Sequence, residues 1–104
     1  MMPTYQVSRG FEYFNLNTPP SPTSSSAKYV LFLHGWPSVS HEWHYQIDHF
    51  RRLGYGIIAP DLLGSGRTSR PTRPEKYLLK DMAKDMIEIL NHENIARVDA
   101  VGHD

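Results

Sequence analysis

The chain has 104 residues, enough for one small domain at most, and its eleven basic and eleven acidic side chains cancel. That balance gives no electrostatic reason to expect a nucleic-acid or membrane partner, and the absence of cysteine excludes disulfides, thiolate metal sites and a cysteine nucleophile. The opening MMPTYQVSRG lacks the apolar run of a secretory signal, and the apolar stretch Tyr29 to Leu33 is too short to cross a bilayer, so a cytoplasmic setting is expected.

Thr4 to Val7 and Phe11 to Leu16 predict two short strands around Arg9-Gly10, a hairpin over 4–16. Residues 17–27 carry three prolines and many hydroxyls with nothing to bury, so a solvated, mobile loop is expected there. Tyr29 to Leu33 is a continuous apolar run rich in strand formers, as a strand covered on both faces requires. Trp43, Ile47 and Phe50 then recur at i, i+4 and i+7, one face of a helix ending near Leu53. Ser40 is its expected N-cap, Glu42 suits the positive end of the dipole, and Arg51 and Arg52 suit the negative end. Gly54 supplies a left-handed stop, and Tyr55 to Ala59 predict a second buried strand. Leu79, Met82, Ala83, Met86, Ile87 and Leu90 form the apolar stripe of a second helix, with no capping residue before it. Arg97 to Val101 predict a third strand that runs into Gly102.

The order is an antiparallel hairpin followed by β-α-β-α-β over 28–104, which predicts an α/β fold in one domain spanning 1–104. With right-handed crossovers, and a second crossover that returns past the first parallel strand, the helices fall on opposite faces of a doubly wound sheet. Sites in such sheets lie beyond the carboxyl ends of the strands. Three segments reach that rim: His34-Gly35-Trp36-Pro37, Asp61 to Gly66, and Gly102-His103-Asp104.

Gly64-Ser65-Gly66 is not a dinucleotide loop, because the third glycine position holds Ser69, so a tight turn is expected, with Asp61 bonding the turn's own amides. His41-Glu42-Trp43-His44 brings its second histidine one residue too early for a zinc helix and has no evident third ligand, so no metal and no cofactor are expected. In His34-Gly35-Trp36-Pro37 a glycine and a proline at a strand end turn the chain and free an N–H to face a cleft, where it could stabilise an oxyanion. Val101-Gly102-His103-Asp104 has the first half of a strand-turn-helix elbow, with small Gly102 two residues before a nucleophile position held by Asp104. A carboxylate there needs no general base to be nucleophilic, and it would form an ester with its substrate.

From Thr4 to Asp104 the chain resembles the N-terminal part of an α/β-hydrolase, and within that superfamily most an epoxide hydrolase. The resemblance rests on HGWP, on APDLLGSGRTSRP and on VGHD, in the family's order, with Trp43 and Gln46 between them also resembling the epoxide hydrolase pattern. It implies that Asp104 attacks an epoxide carbon and that the backbone N–H of Trp36 gives half of the oxyanion hole. His34 and Gly35 would then shape the turn, Trp36–Pro37 is a candidate cis peptide, and His103 is a neighbour of the nucleophile, not its base. Family members bring lid tyrosines, a charge-relay acid and a catalytic histidine from later segments, so the isolated chain is expected to be inactive and poorly folded, truncated at its nucleophile elbow. The implied partner is a small epoxide or another electrophile. A haloalkane or haloacid dehalogenase is the alternative, against which Trp36 argues, since those haloalkane enzymes tend to carry Asn or Glu there. A third reading is a non-catalytic fragment that binds, or associates with itself, through its open sheet edge.

Overall fold

In the computed structural model, which describes residues 4–22 and 28–103, Thr4–Gln6 (β1) and Glu12–Thr18 (β2) pair antiparallel with Tyr5 opposite Tyr13. Gly10 takes φ +92° in the turn between them, and Val7 and Phe11 close it with a backbone bond of 2.9 Å. After Tyr29–Leu33 (β3), a 3-10 turn at Ser40–Trp43 leads into His44–Arg52 (α1), then Gly56–Pro60 (β4). A second 3-10 turn, Pro74–Tyr77, precedes Leu79–His92 (α2), and Val98–Gly102 (β5) follows.

The strands lie in the order β1-β2-β4-β3-β5. β2 pairs antiparallel with β4, while β4 and β5 flank β3 in parallel. The second crossover therefore returns past β3, as a doubly wound sheet demands. Strand alternation divides the core between the two faces. Val30, Phe32, Ile57 and Ala59 meet Trp43, Ile47 and Phe50 on the α1 side. Leu31 and Ile58 join Val7, Tyr13, Leu63, Ile89 and Ile95 on the α2 side. All five residues of β4 are buried, which explains why this strand reads as an unbroken apolar run.

Five expectations need correction. β2 runs on to Thr18, because Asn17 and Thr18 find partners in Ile58 and Ile57; the loop thus starts later than residue 17, and its residues 23–27 lie outside the described ones. β4 and β5 each begin one residue later than expected, at Gly56 and Val98. Ser40 caps nothing with its side chain; its own backbone N–H is instead capped from a distance, by Asp61 Oδ1 at 2.8 Å. The face of α2 is also turned. Asp85 and Ile89 are its buried residues, with Met82, Met86 and Leu90 against the core, whereas Leu79, Ala83 and Ile87 are exposed. An apolar count could not place a carboxylate in the core, yet Asp85 sits there because Arg9 and Tyr13 both bond it.

Gly54 stops α1 at φ +91°, as a left-handed glycine should. Among the described residues, no helix is long and apolar enough to cross a membrane.

Candidate active site

The carboxyl ends of β3, β4 and β5 share one rim, and there the chain leaves a cleft of about 290 Å³. Its walls come from all three segments: His34, Gly35 and Trp36 after β3, Leu62, Leu63 and Ser65 after β4, and His103 after β5, with Met82 of α2 below. The contribution of Met82 was not foreseen; its place in the apolar stripe marked it for the core, not for a cleft.

His34 is buried and bridges two of the segments. The Leu62 N–H can only donate, so His34 Nε2 accepts it at 2.9 Å, leaving Nδ1 to donate to the Gly35 carbonyl at 2.8 Å. This pair of bonds selects the tautomer with its proton on Nδ1. The Trp36–Pro37 peptide is cis, and the Trp36 side chain stands out into solvent at 86 % exposure. Among the described residues nothing accepts a hydrogen bond from the Trp36 backbone N–H.

The loop after β4 is braced from within and from β3's side. Buried Asp61 takes the N–H of Ser40 on one oxygen and that of Arg67 on the other, at 2.8 and 3.1 Å. Its carbonyl accepts the Thr68 hydroxyl at 2.6 Å. Arg70 clamps the carbonyls of Gly64 and Gly66 at 3.1 and 2.8 Å, so the two glycines belong to a fixed turn. The expectation that Asp61 bonds its own turn thus misses half of its work, the hold on the helix that follows β3.

At the third segment, the His103 N–H donates to the Leu33 carbonyl at 3.0 Å, extending the β3–β5 ladder one rung past Gly102. Gly102 is exposed on the edge strand, and a Cβ there would meet nothing within 4 Å. The His103 ring meets the Trp43 indole edge-on, with centroids 6.4 Å apart. Asp104 lies outside the described residues. His41 and His44 stack at 4.7 Å, but among the described residues no group of three or more His, Asp or Glu could hold a metal ion.

A family model described as alpha/beta hydrolase fold matches residues 28–104. The chain belongs to the α/β-hydrolase fold family. Within it, this α/β-hydrolase is epoxide hydrolase-like. It is 43 % identical over 75 residues to epoxide hydrolase srdG of Neurospora crassa, covering 72 % of this chain and 21 % of that protein. Over 75 residues it is 40 % identical to epoxide hydrolase 2 of Siraitia grosvenorii, covering 72 % of this chain and 24 % of the relative. The crystal structure of epoxide hydrolase VrEH1 from Vigna radiata superposes with a TM-score of 0.85 at 29 % identity, over 97 % of this chain and 30 % of that one. The α/β-hydrolase chain therefore spans between a fifth and a third of the length of these relatives.

Proposed function

We propose that this chain is the N-terminal portion of an epoxide hydrolase that works through an aspartyl ester. A carboxylate oxygen of Asp104 attacks an epoxide carbon, the ring C–O bond breaks, and the ring oxygen takes a proton from an acid elsewhere in the enzyme. Water, its proton taken by a base elsewhere in the enzyme, then adds to the carboxyl carbon of the ester. The oxyanion so formed is stabilised by the Trp36 N–H, and collapse releases the diol and restores the carboxylate. One oxygen of the side chain leaves with the first product.

The observation that carries this reading is the convergence of the three segments on one cleft, in a chain similar to epoxide hydrolases. The unengaged Trp36 N–H suits the oxyanion role; His34, Gly35 and the cis Pro37 fix the turn that presents it, and Gly102 and His103 lead the chain to Asp104. The exposed edge strand β5 suits a sheet that continues with further strands in a longer protein. In that setting the chain by itself has no turnover, and its free edge makes it prone to self-association.

The test is a single turnover of the longer protein in heavy-oxygen water. Under this mechanism the first diol carries ordinary oxygen from Asp104, an intact-mass adduct accumulates, and Asp104→Asn forms no adduct. Heavy oxygen in the first diol, with no adduct at any time, overturns it. A haloalkane or haloacid dehalogenase reading would instead require halide release from a halogenated substrate, which a halide assay reports.

A further inference from the structure

On the α1 side of the sheet, beside the end of β5, lies a second cavity of about 180 Å³ lined by Glu42, Trp43, Gln46 and His103. Two observations meet there. The Trp43 ring bridges β3 and the end of β5: it packs on Phe32 with centroids 5.1 Å apart and receives the His103 ring edge-on at 89°. Its indole Nε1–H is buried and has no hydrogen-bond partner among the described residues. Orphaned buried donors are rare in folded proteins, and where a polar cavity adjoins one, ordered water is the usual partner. This cavity has the room, and Glu42, Gln46 and His103 offer the further polar groups a water needs.

We infer that Trp43 is a positioning residue that acts through His103, the residue directly before Asp104: its ring fixes the imidazole at the end of β5, and its N–H anchors a cavity water that completes the bonding of the indole. The inference rests on Asp104 being the nucleophile. The geometric link is short. His103 is tied by its backbone to Leu33 and by its ring to Trp43, and the next residue is Asp104. Loss of either tie loosens His103 at the end of β5, directly before the proposed nucleophile in the sequence, and small misplacements of a reacting group lower the rate without loosening substrate binding.

The experiment compares Trp43→Phe, His103→Gln and the double variant in the longer enzyme. Trp43→Phe keeps a ring against Phe32 and removes only the N–H and the larger edge. Expected are a fall in kcat of about tenfold with KM little changed, faster hydrogen exchange of the His103 amide, and unaltered exchange within α1. In the His103→Gln background the same change has little further effect, because the path through His103 is already broken. Unchanged kcat in Trp43→Phe, or an equal loss in both backgrounds, overturns the inference. Asp104→Asn separates the two readings: if that variant keeps its activity, the nucleophile assignment fails. The His103 exchange rate in Trp43→Phe still decides whether Trp43 holds His103 at the end of β5.

Discussion

Arg9 and Asp85 stand 76 positions apart and form a two-pronged ion pair, Nε to Oδ1 at 3.0 Å and Nη2 to Oδ2 at 2.6 Å. The Tyr13 hydroxyl donates to the same Oδ2 at 2.7 Å, and Arg9 also donates to the Lys76 carbonyl. Next to them Ser8 bonds both oxygens of Glu88, through its N–H and its hydroxyl. The hairpin turn is thereby clasped onto α2, which closes one side of the core that supports the cleft.

Asp85→Ala leaves a guanidinium and a phenol facing an empty acceptor site. Since Arg9 keeps some contact with water, the expected loss of stability is about 3 kcal/mol, near the lower end for a broken buried pair. Urea midpoints of the two proteins measure it, and coincident curves would show that the clasp contributes nothing net.

The same cluster predicts a sensitivity to alkali. Burial above all, then the bond to Asp85, pushes the Tyr13 phenol well above its ordinary 10.0, and the bond to Asp85 raises the Arg9 guanidinium. Burial raises Tyr29 as well. In each case the folded chain holds its proton more tightly than the unfolded chain. The stability tied to Tyr13 is therefore complete below the ordinary value of 10.0 and is lost as pH rises beyond it. There the unfolded state releases a proton that the folded state retains, a slope of about 1.4 kcal/mol per pH unit. Denaturant midpoints should stay flat up to that pH and then decline. Tyr13→Phe should flatten much of the decline, and an unchanged decline would assign it to other groups.

The architecture was legible in the sequence because it rests on periodicity. The unbroken runs of β3 and β4 and the Gly54 stop are local signals with one physical reading each. The convergence of HGWP, the Asp61 loop and Gly102-His103 followed from topology alone, since parallel strands place their carboxyl ends on one rim. What stayed hidden depends on partners remote in the chain. Asp61 caps the amide of Ser40 across 21 positions, and Asp85 enters the core only because Arg9 and Tyr13 await it. A helical wheel sees Asp85 as polar and turns the face toward Leu79 and Ile87, which the fold leaves exposed.

Gly66 is where the Asp61 brace admits no side chain. Its φ of +52° already disfavours an L residue, and a Cβ would strike Asp61 Oδ2 and lie 2.6 Å from its Cγ. Gly66→Ala should destabilise the chain by about 1–3 kcal/mol. In an Asp61→Ala background the collision disappears, so the same change should cost only the left-handed penalty, about 1–2 kcal/mol. Additive effects in that cycle would mean that the two residues do not press on one another.

His34 offers the sharpest test of how the cleft is held. Its Nε2 is the acceptor for the Leu62 N–H, and its Nδ1–H ties back to Gly35, so one ring spans two of the three converging segments. His34→Ala strips the Leu62 amide of its acceptor at a cost of about 1–3 kcal/mol. The effect should be local as well as global. Exchange of the Leu62 amide should quicken markedly, while Ile57 and Ile58, in the fully buried β4, should exchange no faster than the global stability requires. Under the proposed function, the loosened wall at Leu62, Leu63 and Ser65 should also raise KM in a longer protein that carries this segment. If Leu62 keeps its protection in His34→Ala, the amide has another acceptor and the wall of the cleft stands without the histidine.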